Sequence, residues 1–375
     1  MAYYFGVEIE IIAAPHKVRH PLLRAFYYEK LAAALRKRGE PSAADTLVEK
    51  YRKRAEHYDK WWITKDGSLG NPAHPLIPLE AVSPILSTNN VWEEDIETFW
   101  EAWSKVFHMP TTSKRCGSHI HVSASPNKRF SREQLRSIAF GVILYEGNVL
   151  QLLPESRREN DYCTPNTDHI WELDDLSYDF TDPIHLEEVR DTIWGSFQDD
   201  DRIGYDLPKF MQGNNRKVLW NFQNIRKSGS IEFRGGPRLR GPIHTKRWIA
   251  FVVSFIHMCI SKKFKVLRRR DLAPPEMQRF WSSIMKAAKA CQVASSLPSE
   301  WEVMRGSTSG FDIANGMGSL DLSNPDSDSD VSTICSKDES KYSDSNADSD
   351  DKDEMIQELG YDPSTVHRSR GCVTM

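Results

Sequence analysis

Three short segments of this chain alternate ionisable and apolar side chains with a period of two, and no other feature constrains its fold as strongly. In Phe5-Gly6-Val7-Glu8-Ile9-Glu10-Ile11, two carboxylates stand at i and i+2 among Val7, Ile9 and Ile11. In Cys116-Gly117-Ser118-His119-Ile120-His121-Val122-Ser123, two imidazoles and a hydroxyl alternate with Ile120 and Val122. In Ser230-Ile231-Glu232-Phe233-Arg234, a carboxylate and a guanidinium alternate with Ile231 and Phe233. A β-strand sends successive side chains to opposite faces, so each segment shows its polar pair on one side and anchors itself with the other. Taken singly, the pairs also fit exposed glutamates on an edge strand, a solvent-facing imidazole pair and a surface ion pair. Together on a shared sheet face they would form a cation site, with Arg234 as a contact for phosphate or carboxylate. That combination points to an enzyme.

The net charge of −4 hides an asymmetry. Residues 318–354 hold twelve acidic against three basic residues; taking that −9 from the total leaves +5 for the rest. A mildly basic body suits a polyanionic substrate such as a nucleotide and equally suits an ordinary solvated surface. The six cysteines are scattered with no C-x-x-C pair, which indicates neither a zinc framework nor a disulfide scaffold. Met1-Ala2-Tyr3-Tyr4-Phe5 lacks the charged and apolar regions of a secretory signal, and the expected location is cytoplasmic. The most apolar run, Trp248 to Ile260, is too short to span a bilayer and reads as a buried helix.

After the first strand, Pro21 to about Trp62 reads as a helical hairpin broken at Gly39-Glu40-Pro41-Ser42. Strands follow at Trp61–Ile63 and Pro78–Pro84, around a turn at Asp66-Gly67-Ser68, and then a helix over Glu93–Phe107. Ser131 to Leu153 is expected to be a helix opened by a capping box of Ser131 and Gln134. Residues 154–215 read as an irregular, acidic loop suited to cover a site. Val218–Ile225 and Gly229–Arg234 read as paired strands, followed by helices over His244–Lys265 and Pro275–Cys291. The expected domains are 1–316, catalytic, and 317–375, an acidic Ser/Asp-rich tail too poor in apolar residues to order. The last four residues, Cys372-Val373-Thr374-Met375, have the form of a prenylation box, with polar Thr374 against it and a chance match expected.

Carboxylates with an imidazole suit Mg²⁺ or Mn²⁺ better than Zn²⁺, and such ions commonly neutralise ATP phosphates. An H-x-H pair with carboxylates also occurs in Zn- or Fe-dependent hydrolases and oxygenases, which generally recruit a further histidine. His169, His244 and His257 are available but show no such context.

Phe5 to Glu10, Asp66-Gly67-Ser68 with Leu79-Glu80-Ala81-Val82-Ser83-Pro84, Cys116 to Val122, and Ser230 to Arg234 resemble, in order, the motifs of the amidoligase family. That family belongs to the carboxylate-amine ligase superfamily of glutamine synthetase and glutamate-cysteine ligase. The resemblance covers roughly residues 3–265. It implies an α+β, glutamine-synthetase-like fold: a curved, largely antiparallel sheet forming an open funnel, with helices packed outside. It further implies ATP-dependent joining of a small carboxylate to an amine, with Mg²⁺ or alternatively Mn²⁺. By this likeness Glu8, Glu10, Glu80, His119 and Glu232 would hold two or three ions, and His121 and Ser123 would lie at the nucleotide. Arg234 would stand beside the transferred phosphate, contacting nucleotide and, with Glu232, serving catalysis. Asn221 and Arg216 fall near a family pattern, while a further carboxylate pair of glutamine synthetase has no located counterpart, which leaves the number of ions open.

In such a ligase the carboxylate attacks the γ-phosphate of ATP, and the amine then displaces phosphate from the acyl phosphate. Glu159 or Asp161 is a candidate base, Arg157-Arg158-Glu159-Asn160 a candidate substrate clamp, and the 154–215 segment a candidate lid. Cys163 with His169 lacks the orienting group of a nucleophilic pair. No basic helix, RNP-like strand or finger suggests nucleic acid. A non-catalytic nucleotide-binding relative is the remaining alternative, and the oligomeric state is not legible.

Overall fold

The computed structural model describes residues 2–18, 23–45, 58–108, 113–126, 128–170 and 179–305. It is a mixed α/β structure built on one open, eight-stranded, mostly antiparallel sheet. The strands are β1 (Tyr4–Ala13), β2 (Ser42–Ala44), β3 (Trp61–Thr64), β4 (Ile77–Val82), β5 (Leu86–Ser87), β6 (Gly117–Ser123), β7 (Trp220–Asn221) and β8 (Ile231–Gly236). Their order is β2-β3-β4-β1-β6-β8-β7, with β5 paired to the start of β1. Only β2 and β3 run parallel. The three alternating segments thus form adjacent strands β1, β6 and β8 at the middle of the sheet.

The period of two does what the sequence predicts. Val7, Ile9 and Ile11 of β1, Ile120 and Val122 of β6, and Ile231 and Phe233 of β8 are fully buried on one face. Eight helices occur among the described residues: α1 (Arg24–Arg36), α2 (Trp92–Trp103), α3 (Arg132–Leu152), α4 (Glu155–Arg158), α5 (Pro183–Ser196), α6 (Ile203–Gln212), α7 (Pro242–Ser261) and α8 (Met277–Ala290). Two of them, α2 and α7, pack on the apolar face through aromatic contacts: Phe5 meets Trp92 edge-on at 5.4 Å, and Trp220 stacks on Phe255 at 4.6 Å. Phe255 in turn meets Tyr145 of α3 and Phe280 of α8. Close approach of β8 to β6 requires Gly236, where a Cβ would lie 2.4 Å from the Ser118 carbonyl oxygen, beside the register shift between the two strands.

The capping box forms as expected, with Ser131 Oγ accepting from Gln134 N and Gln134 Oε1 from Ser131 N. Three expectations fail. Residues 42–44 extend as β2 instead of opening a second helical arm, because Ser42 Oγ donates to the Ala32 carbonyl and ties the chain beside α1; 46–57 lie outside the described residues. The described parts of the 154–215 segment are not a loop: they carry α4, α5 and α6, and 171–178 lie outside the described residues. Asp182 caps α5 with Pro183 at its first position, and α6 holds Leu207, Phe210 and Met211 in the core. The paired strand expected over Val218–Ile225 shortens to β7, since residues 223–225 turn into a 3₁₀ helix. The acidic stretch 317–375, with Cys372, lies outside the described residues. No helix among the described residues is long and apolar enough to cross a membrane.

Candidate active site

Strand register sets the site. On the face opposite the core, Glu10 stands across from Glu80, Glu8 across from His119, and His121 across from Glu232. Asn221 of β7 continues the row beside Glu232. His119 Nδ1 lies 3.0 Å from Glu8 Oε2 and 3.4 Å from Glu232 Oε1, while its Nε2 lies 3.4 Å from Glu10 Oε2. His121 Nε2 lies 3.4 Å from Glu8 Oε1 and 3.9 Å from Glu232 Oε1.

Two groups have ligand atoms close enough to share an ion: Glu8, Glu10 and His119, and Glu8, His121 and Glu232. Glu8 belongs to both. Each group contains two carboxylates, one imidazole and no thiol, the donor set of a hard divalent cation such as Mg²⁺ or Mn²⁺. The two histidines fall into different groups.

The electrostatics also suit a cation. Burial, then Asp66, Glu80 and Glu8, hold the Glu10 carboxyl well above the usual carboxylate range. Burial and the Arg234 guanidinium keep His119 below the ordinary histidine value, and so neutral and able to ligate. At Glu232 burial opposes ionisation, yet Arg234, His121 and His119 outweigh it and hold the carboxyl low. Arg234 Nη1 donates to Glu232 Oε1 at 2.6 Å, and burial of the guanidinium is outweighed by Glu232, Glu10 and Glu8.

Other residues aim these groups. Asn221 and Asn224 both donate to Glu232 Oε2, at 2.8 and 3.0 Å. Gln212 of α6 donates to Asn221 Oδ1 at 2.7 Å and accepts from Phe222 N. Asn166 pairs with both main-chain groups of Trp220 in β7. Its own N–H donates to the buried carboxyl of Glu146 on α3, as does that of Thr167. Burial raises Glu146 to about 7. Sequence reasoning noted Asn221 but missed Asn224, Gln212, Asn166 and Glu146, because isolated amides and one apolar-helix glutamate carry no periodic signal.

Of the expected site residues, Glu8, Glu10, His119, His121, Glu232 and Arg234 come together. Glu80 is buried across from Glu10 and acts on it electrostatically, outside the two groups. Ser123 ends β6, where its hydroxyl donates to the Ser125 carbonyl. Glu159 and Asp161 are exposed, although the neighbouring Tyr162 carbonyl accepts from Arg234 Nε. Arg157 is buried and donates to the Arg234 carbonyl at 2.6 Å, so it braces β8. Arg216 is exposed. Cys163 is buried, which pushes its thiol up, and His169 bonds Thr164 Oγ1 at 2.8 Å.

A comparison with curated proteins finds no significant match. A family model described as "Putative amidoligase enzyme" matches residues 2–256, a span that contains every strand of the sheet and every residue of the acid–imidazole cluster. With its alternating motifs assembled on one sheet face in that span, the chain belongs to this amidoligase family.

Proposed function

We propose that the protein is an ATP-dependent carboxylate-amine ligase of glutamine-synthetase-like fold, which activates a small carboxylic acid as its acyl phosphate and joins it to an amine. The observation that carries this reading is the convergence of Glu8, Glu10, His119, His121 and Glu232 from three adjacent strands, with Arg234 paired to Glu232. Those five side chains would hold Mg²⁺ or Mn²⁺, which supplies charge neutralisation at the phosphates of ATP. Glu80 supports the set through Glu10, and His121 and Ser123 extend along β6 where the nucleotide would enter.

Arg234 has the work of bringing two anions together. Its guanidinium screens the repulsion between the attacking carboxylate and the γ-phosphate, and stabilises charge on the phosphoryl group in transfer. The acid's oxygen bonds to phosphorus as the bond to the ADP oxygen breaks. The amine nitrogen then bonds to the acyl carbon as the bond from that carbon to the phosphate oxygen breaks, phosphate leaves, and the proton lost by the nitrogen passes to solvent. Because Glu232 and its two asparagines hold Arg234 in place, the cation meets the transition state without reorganising.

The test is ADP release from ATP and Mg²⁺, with pooled carboxylic acids, amino acids and polyamines. ADP that appears only with a pool, and falls a hundred- to thousand-fold in Glu232→Ala, supports the ligase. Pool-independent ADP release removes it.

A further inference from the structure

The surface segment that follows α7 carries six cations in nine residues: Lys262, Lys263, Lys265, Arg268, Arg269 and Arg270. Its backbone is fixed. Phe264 is buried against Phe140 at 5.2 Å, Leu272 is fully buried, and Arg190 Nη1 donates to the Leu267 carbonyl at 2.7 Å. With those residues turned inward, all six cationic residues are held on the exposed side. Two of the six are paired, Arg269 with Glu187 and Arg270 with Asp271, while Asp191 is held by Arg190 and Glu133 by Arg136. No described acid pairs with Lys263, Lys265 or Arg268.

Among these cations stands Val266, 72% exposed, the most exposed large apolar side chain of the described residues. A hollow of about 260 Å³ beside it is lined by Lys262, Lys263 and Lys265, by one acid, Glu133, and by Ser137, Trp194, Phe264 and Val266. We propose that this segment is a docking surface for an anionic lipid bilayer. Lysine and arginine side chains would take the phosphate and carboxylate headgroups while Val266 enters the interfacial layer, the arrangement of peripheral membrane contacts. The charge density sets the partner class, and the apolar tip selects a bilayer over a polynucleotide. A base-reading surface would instead offer exposed rings for stacking, whereas Phe264 and Trp194 are buried. The proposal is independent of the ligase reading, since no residue in it belongs to the acid–imidazole cluster.

The experiment is co-sedimentation of the full chain with phosphatidylcholine vesicles, with and without phosphatidylserine. Binding is expected only with phosphatidylserine, and is expected to weaken as salt is raised. Lys263→Glu with Lys265→Glu is expected to lower it roughly a hundredfold. Val266→Ser, which adds no charge, should lower it without changing its salt dependence. Lys286→Glu with Lys289→Glu, the same charge change on α8, should leave the salt-resistant part and most affinity intact, and thermal melts verify that all variants fold. Equal binding by the 263/265 and 286/289 variants would overturn the proposal, as would binding to RNA with none to phosphatidylserine vesicles.

Discussion

Glu232 accepts hydrogen bonds from Arg234, Asn221 and Asn224 while two imidazoles stand within 3.9 Å of it. Its neighbours therefore stabilise the ionised form, and a neutral isostere keeps the shape while removing the charge. Glu232→Gln is expected to retain native circular dichroism and lose at least a hundredfold in turnover; turnover within tenfold of wild type would detach Glu232 from the chemistry. Glu10 behaves oppositely. Burial and three nearby carboxylates raise its folded-state value above its unfolded one, so its contribution to stability is present at low pH and lost as pH rises. Metal-free Glu10→Gln should thus melt above metal-free wild type near pH 8, with the difference vanishing near pH 4; a lower melting point at both would refute it. At this scale the sequence was legible where a period of two placed pairs on one face. It was silent on Gln212 and Asn224, whose roles depend on where α6 and the turn after β7 fold back.

Glu146 of α3 joins a helix to the edge of the sheet by accepting from the N–H groups of Asn166 and Thr167, and Asn166 holds β7. Its value rises from 4.5 to about 7 in the folded protein. The folded state thus binds this proton more tightly, so the stabilisation is complete below pH 4.5 and is lost as pH climbs to about 7. The loss is on the order of 3 kcal/mol. Glu146→Gln should flatten the fall in melting temperature over that interval; an unchanged profile would place the titration elsewhere. Gly229, with φ +74° and a virtual Cβ 2.3 Å from the Lys128 carbonyl carbon, fixes the turn into β8. Gly229→Ala should cost about 1–3 kcal/mol in denaturant unfolding, and a stabilised variant would contradict that geometry. Elements with strong apolar periodicity, α2, α3, α7 and α8, were readable to within a few residues. α5 and α6 were obscured by Asp, Gly and Pro within an acidic stretch, although Asp182-Pro183 is a helix-start signal. β2 is only three residues long and is held by Ser42 and its neighbour β3, not by its own pattern.

For the molecule as a whole, the sequence showed which strands carry the site but not that they lie side by side. That depends on β1 joining the sheet between β4 and β6, an order set by non-local pairing. Within the resulting cluster burial, then Asp66, Glu80 and Glu8, disfavour the ionised form of Glu10, a cost that the proposed cation would relieve. Adding Mn²⁺ should therefore raise the melting temperature of wild type in a concentration-dependent way, and Glu8→Gln, which removes the carboxylate common to both groups, should abolish the rise. An undiminished rise in that variant would place the ion elsewhere. The central claim is an activated carboxylate, and hydroxylamine intercepts it directly by displacing phosphate from an acyl phosphate to give a hydroxamate. The decisive measurement is hydroxamate formed from ATP, Mg²⁺, hydroxylamine and pooled carboxylic acids. We predict acid-dependent hydroxamate in one-to-one amount with ADP, lost in Glu232→Gln, whereas ADP released without hydroxamate would contradict the ligase.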